Sequence, residues 1–295
     1  MTGLMAADAS TRAQGDGGVT LPDHAAISLR GVTKSFGSHT VLDDVSFDVP
    51  RGGITAILGP SGTGKSVLLN MIIGIDDPER GQVYIEGEPI VGMRHGDLMR
   101  VRRSLGVLFQ DGALFGSMSL YDNLAFPLRE HTDKSEDEIR DIVFTKADMV
   151  GLLAHLEKMP GAVSGGMRKR AGLARALALD PQIVFFDEPD SGLDPVRVAH
   201  LDDLMRAVQE QTGCTFFVIT HNIESVRRTA DTIGMLYRSK LVAFGPADDV
   251  LENDRPTVRQ FLSGSSRGPI GMDEMVDAEW AEDDADTTLM TEHER

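Results

Sequence analysis

The hydrophobic rhythm of the chain changes several times along its length. Residues 1–24 hold Gly, Ala, Asp and Thr without an apolar period and read as a flexible lead-in. From Ala25 apolar and polar positions alternate, through Ile27-Ser28-Leu29 and again from Val41-Leu42 to Val45-Ser46-Phe47-Asp48-Val49, as in strands with one buried face. Ile54-Thr55-Ala56-Ile57-Leu58 is almost continuously apolar, the pattern of a strand covered on both faces. Beyond a glycine-rich turn, Val67 to Ile73, closed by Gly74, predicts a helix. Residues 97–159 predict mostly helix, and Ser135-Glu136-Asp137-Glu138 opens one helix with an S-x-x-E capping pattern. Short apolar runs return at Ile183 to Phe186, Phe216 to Ile219 and Ile233 to Leu236. Strands alternating with helices predict an α/β fold with a parallel sheet. No internal repeat is visible. No apolar run reaches the roughly 18 residues of a membrane helix, and the N-terminus has no secretory-signal pattern. A cytoplasmic protein that meets the membrane only through partners is therefore expected.

Where the third strand gives way to helix, the sequence reads Gly59-Pro60-Ser61-Gly62-Thr63-Gly64-Lys65-Ser66. It satisfies G-x-x-x-x-G-K-[ST] in the strand–turn–helix context that the motif requires. Its glycines let backbone N–H groups face a phosphate, and the helix start adds positive potential. Lys65 can reach the terminal phosphates, and Ser66 can ligate Mg2+. A second constellation, Ile183-Val184-Phe185-Phe186-Asp187-Glu188, ends a buried strand in two acids. Asp187 suits the oxygen shell of Mg2+, and Glu188 can orient or deprotonate an attacking water. Alone, the pair could equally be solvated acids at a strand end; behind a phosphate loop the catalytic reading gains. Third, Ser164-Gly165-Gly166-Met167-Arg168-Lys169-Arg170 opens a helix on small residues and makes a second anion site. One nucleotide needs one terminal-phosphate cradle, so the economical reading gives the second site to a neighbouring molecule's ATP.

Taken together, these segments closely resemble the ABC ATPases, and the motifs follow in family order from Ile27 to Leu262. Ser164-Gly165-Gly166 resembles the signature motif, Gln110 the Q-loop glutamine, Ser191-Gly192-Leu193-Asp194 the D-loop and His221 the switch histidine. The resemblance implies a P-loop NTPase cassette over residues 25–262. It would have a RecA-like core, an antiparallel β subdomain and a helical subdomain, about 97–180, carrying the signature. It also implies two copies packed head to tail, with each ATP between Gly59–Ser66 of one and Ser164–Gly166 of the other. By resemblance Glu188, His221 and Gln110 serve catalysis, and Ser66, Gln110 and Asp187 serve Mg2+. Phe36, Gly59–Ser66, Ser164–Gly166 and Asp194 then bind the nucleotide. For Phe36 the choice lies between stacking on adenine and packing in the core. His221, at the end of a strand, would without this context read as structural or solvated.

Two departures from the usual motifs stand out: Val163 and Met167 replace Leu and Gln in the signature, and Glu188 is followed by Pro189-Asp190-Ser191-Gly192. Residues 106–128, 164–177 and 187–197 look like the actinobacterial ATPases of Mce lipid-import systems, relatives of the Mla-type phospholipid-trafficking ATPases. Residues 258–262 and 268–272 extend the likeness. It implies permeases of the YrbE type and Mce proteins as partners, location on the inner face of the cell membrane, and a fatty acid, sterol or phospholipid as cargo. Leu114, Phe115, Met118 and Leu120, beside Gln110, fit either a groove for a permease coupling helix or the core.

Charge narrows the alternatives. Asp plus Glu number 46 against 29 Lys plus Arg, a net charge of −17, which disfavours nucleic acid as a partner. Ten acids against Arg267 and Arg295 fall in residues 263–295, a C-terminal extension that opens on a Ser/Gly linker and ends acidic. Either residues 268–272 dock on the partner copy, or the whole extension is disordered. Cys214 is the only cysteine, which fits a reducing compartment and a packing role. An importer ATPase for a polar solute is the near rival. A non-transport ABC protein is a more distant one, and a P-loop kinase has no use for Ser164–Gly166 or His221.

Overall fold

The computed structural model describes residues 21–110 and 112–271. The chain runs through β1 (Ala25–Phe36), β2 (His39–Pro50), β3 (Ile54–Leu58), α1 (Lys65–Ile72), β4 (Arg80–Ile85), β5 (Glu88–Pro89), α2 (His95–Arg103) and β6 (Leu105–Leu108). It continues with α3 (Leu120–His131), α4 (Glu136–Met149), α5 (Gly165–Ala176), β7 (Ile183–Asp187), α6 (Pro195–Thr212) and β8 (Thr215–Ile219). The remaining elements are α7 (Ile223–Thr229), β9 (Thr232–Tyr237), β10 (Lys240–Pro246), α8 (Ala247–Leu251) and α9 (Pro256–Ser263). Among the described residues these strands form a four-stranded sheet, ordered β2-β1-β4-β5, and a six-stranded sheet, ordered β10-β9-β3-β8-β7-β6. The first is antiparallel, and in the second β9, β3, β8, β7 and β6 are mutually parallel.

The continuous apolar runs follow from burial on two faces. Successive side chains of a strand point to opposite sides of the sheet. In β7, Ile183 and Phe185 enter one core while Val184 and Phe186 enter the other; β8 divides Phe217 and Ile219 from Phe216 and Val218 in the same way. One core lies between the two sheets and contains Leu68, Leu69, Met71 and Ile72 of α1 with Leu29, Val45 and Phe47 of β1 and β2. The other packs the far face of the six-stranded sheet on α3 to α7. Phenylalanines cross-brace neighbouring strands on both faces, Phe185 with Phe217 at 5.8 Å and Phe186 with Phe216 at 4.9 Å between ring centroids.

Helix boundaries follow local chemistry. Ser135 and Glu138 close a reciprocal capping box on α4, as its sequence predicts. Ser119 accepts the Asp122 N–H at 3.0 Å to start α3. One stretch differs from expectation. Residues 97–159 are not helical throughout, because β6 pairs in register with β7, Leu105 opposite Ile183 through Leu108 opposite Phe186. A run of only four residues gives too little periodicity to separate strand from helix. Cys214 is buried, and its Sγ lies 2.9 Å from the Pro181 carbonyl.

Beyond α9 the chain folds back on itself. The Gln260 carboxamide grips the backbone of Ile270, accepting its N–H at 2.6 Å and donating to its carbonyl at 2.9 Å. The Tyr237 hydroxyl donates to the Pro269 carbonyl at 2.9 Å. Pro269 and Ile270 are thus tied to their own chain, so the extension is ordered at least to this point. Met272 and the acidic stretch after it lie outside the described residues, as do residues 1–20 of the lead-in.

Candidate active site

Four sequence motifs follow four neighbouring strands of one sheet. Gly59–Ser66 follows β3, Thr220-His221 follows β8, Asp187-Glu188 ends β7, and Gln110 lies two residues past β6. Since these strands are adjacent and parallel, all four motifs come to the same carboxyl edge, where ligands of open α/β sheets bind.

The loop after β3 can turn only because it is glycine there. Gly59 has φ +151°, and a Cβ on it would stand 2.3 Å from the Leu236 carbonyl oxygen. Gly64 has φ +94° and caps α1 without a side-chain bond, so the amides of that first turn are left for a ligand. Ser61, Gly62 and Ser66 are exposed, whereas Lys65 is 5 % exposed. Its ammonium donates to the carbonyls of Gly59 at 2.7 Å and Pro60 at 2.8 Å, which holds it inside the loop. Burial pushes the Lys65 pKa down, against the pull of Glu188 and Asp187. Burial, reinforced by the like charge of Glu188 and opposed by Lys65, pushes Asp187 up. Two crowded carboxylates beside one ammonium are a negative site that a hard cation would relieve. The oxygens of Ser66, Gln110 and Asp187 are the donor chemistry Mg2+ takes. Pro60 to Thr63 line a cavity of about 400 Å3 together with His39, Val41, Ile270 and Gly271.

Glu188 adopts φ +45°, a left-handed conformation that costs a non-glycine residue about 1–3 kcal/mol. Its N–H donates to the Ile219 carbonyl at 2.8 Å, and its carbonyl accepts the Ser191 N–H at 3.1 Å. Its carboxylate Oε1 lies 3.3 Å from Nδ1 of the exposed His221. Gln110 is exposed, and the chain around it is tied down by α5, where Arg175 donates to the carbonyls of Gly112 at 3.0 Å and Ala113 at 2.8 Å. Phe36 is 52 % exposed, with the Lys34 ammonium 5.3 Å above its ring. Core packing is therefore excluded for Phe36.

Ser164 caps α5, its hydroxyl accepting the Met167 N–H at 3.3 Å. Met167 packs on the core in place of the usual amide. Ser164 and Gly166 line a cavity of about 620 Å3 with Leu193 and Arg197, and it shares no residue with the cavity at Pro60–Thr63. Asp194 caps α6 by accepting the Arg197 N–H at 3.0 Å. The structure thus gathers the motifs at Lys65, Gln110, Asp187, Glu188 and His221, and leaves Ser164–Gly166 lining a cavity of its own. Of the apolar residues after Gln110, Leu120 is fully buried and Leu114 packs on the core, so neither is free to meet a partner. Phe115 is exposed and shares a groove of about 380 Å3 with Phe109 and Phe126. Sequence reading passed over Lys169, Arg175 and Asp190; three consecutive cations, Arg168 to Arg170, give no sign of which one is buried.

Comparison with known proteins agrees with this geometry. The family model described as ABC transporter matches residues 42–191. The probable ribonucleotide transport ATP-binding protein mkl of Mycobacterium leprae is 55 % identical over 263 residues, 89 % of this chain and 75 % of that one. The intermembrane phospholipid transport system ATP-binding protein MlaF of Escherichia coli is 41 % identical over 244 residues, 83 % of this chain and 91 % of that one. Among solved structures, cbiO1 of Clostridium perfringens, part of the ABC transporter complex cbiONQ, superposes with a TM-score of 0.72 at 29 % identity, covering 77 % of this chain and 90 % of that one. The dimeric bacterial ABC transporter cassette MJ0796 gives 0.69 at 30 % identity over 75 % of this chain and 98 % of that one. Likeness of this extent, in sequence and in fold, places the chain in the ABC transporter family, as an ATP-binding subunit that hydrolyses ATP.

Proposed function

We propose that this subunit works as a head-to-tail dimer with Mg2+, energising lipid transport through membrane permeases of the YrbE type and their Mce proteins. The observation that carries the dimer is the separation of the two anion sites. Phosphate-loop amides and Ser164–Gly166 open on different cavities of one chain, so a second copy is the natural source of the missing half. The dimeric state named for the MJ0796 cassette supports the same reading. In each composite site Lys65 and the α1 amides hold the terminal phosphates, and Phe36 offers its exposed ring to adenine. Ser66, Asp187 and Gln110 would hold Mg2+, which would supply positive charge against the phosphate oxygens. Glu188 orients the water and accepts its proton, and His221, 3.3 Å from that carboxylate, presents its ring toward the γ-phosphate. Asp194 meets the nucleotide edge through the turn that starts α6.

The groove of Phe109, Phe115 and Phe126 flanks Gln110, which makes it the seat for a permease helix and connects docking to the catalytic edge. Membrane association follows from that contact, since none of the described helices is long and apolar enough to cross a membrane. Relatives differ in cargo: mkl is named for ribonucleotides and MlaF for phospholipids. Lipid is the reading favoured here, on the 41 % identity to MlaF over most of both chains and on the resemblance to Mce-system ATPases. Affinity purification of the subunit from membranes, followed by mass spectrometry of proteins and lipids, tests it. Co-purifying permeases with bound lipid are expected; permeases that stimulate ATP hydrolysis with ribonucleotides and not with lipid would overturn the cargo.

A further inference from the structure

Two oppositely charged side chains lie buried beside the site without belonging to any role assigned above. Lys169, on α5 five residues after Ser164, is 4 % exposed, and Asp190, two residues after Glu188, is 7 % exposed. Charges are removed from water only at a penalty that their partners must offset. The partners here are specific. Lys169 Nζ donates to the Pro189 carbonyl at 2.6 Å and to Ser191 Oγ at 3.2 Å, clasping both residues that flank Asp190. Asp190 Oδ1 accepts the hydroxyl of Thr220 at 2.8 Å. Thr220 precedes His221, and its Oγ1 also accepts the Asn222 N–H at 3.0 Å, so one hydroxyl holds both neighbours of the histidine. His221 in turn meets Glu188 at 3.3 Å. These hydrogen bonds, joined by single peptide links at residues 189–191 and 220–221, connect the helix headed by Ser164 to the imidazole–carboxylate pair.

We propose that Lys169 and Asp190 are positioning residues for ATP hydrolysis. Lys169 fixes the turn of residues 189–191 to α5, and Asp190 fixes Thr220 and thereby aims His221 at Glu188. This rests on the composite-site reading and deepens it, because the placing of α5, set by what its Ser164 end contacts, is then felt at the histidine. Two details fit such a role better than simple filling. Glu188 sits in a strained backbone conformation that its surroundings must hold in place. The connection also uses charged and hydroxyl groups, whose hydrogen bonds fix direction, where apolar side chains would only fill space.

The test is steady-state ATPase kinetics on the full chain. Asp190→Ala and Thr220→Val each remove one end of the same bond, and Thr220→Val keeps the threonine shape, so a folded variant is available if Asp190→Ala fails to fold. Each should lower kcat about tenfold and leave the KM for ATP within about twofold, since neither residue touches nucleotide. The double variant should be no slower than the worse single one, and Lys169→Met should likewise be non-additive with Asp190→Ala. Asp190→Asn, which keeps the acceptor oxygen, should recover most of the rate lost in Asp190→Ala. Wild-type kcat in Thr220→Val, additive losses, or a KM that rises in step with the fall in kcat would overturn the positioning role. Glu188→Gln and His221→Ala serve as controls: turnover retained in both would bring down the reading of the site itself.

Discussion

At the scale of single residues, the edge of the six-stranded sheet concentrates charge that the fold holds under tension. Glu188 combines a left-handed backbone with a carboxylate near both Asp187 and His221. Glu188→Gln preserves shape and hydrogen bonding but removes the group proposed to take the proton from water. ATP should still bind, turnover should fall by ~10²–10⁴, and an ATP-stabilised dimer should accumulate. Phosphate release and sedimentation velocity measure the two effects, and near-wild-type turnover would remove Glu188 from the chemistry. Most of these residues were legible because motif spacing placed them: a phosphate loop between strand and helix and two acids at the end of an apolar run. Lys169, Arg175 and Asp190 were not. Their meaning depends on which side of a helix or turn is buried, and a basic run or a single acid after proline carries no periodicity to reveal it.

At the scale of elements, the helices on the far face of the sheet are joined by few but well-directed groups. Arg129 of α3 donates to Asp122 at 3.0 Å and to Glu136 at the start of α4 at 2.8 Å. The Ser119 hydroxyl, followed by Arg129, holds the Asp122 carboxyl below its ordinary pKa. A carboxylate depressed by folding contributes stability above its unfolded pKa and loses it as pH falls through the folded one. With the Asp122 side chain 44 % exposed, solvent screening limits the contribution to at most about 1 kcal/mol. Asp122→Asn should therefore be less stable than wild type in urea at neutral pH, and the gap should close on acidification through and below the carboxylate range. A gap of constant size across that range would show that the charge is irrelevant to the α3–α4 contact. The two elements sequence reading resolved best, β7 and β8, are buried on both faces and bounded by acids or a histidine. β6, at the edge of the same sheet, escaped because four residues between helices do not establish a period.

At the scale of the whole molecule, the unit proposed to hydrolyse ATP is larger than one chain. Mixing Lys65→Ala subunits with Ser164→Arg subunits gives hybrid dimers in which one composite site carries both lesions and the other carries neither. Two inactive preparations should recover part of the ATPase activity when combined. No recovery, with hybrid dimers demonstrated by native mass spectrometry, would argue against sites shared across the interface. The thiol of Cys214, buried against the Pro181 carbonyl just before β8, bears on how such an assembly can be watched. Because the chain has no other cysteine, its surface offers no competing sulfhydryl to a maleimide dye. A cysteine introduced at an exposed position such as Val196, at the start of α6, would be the only reactive handle on each copy. Energy transfer between two such labels would then follow the opening and closing of the dimer in real time, with no need to rebuild the protein around a cysteine-free background.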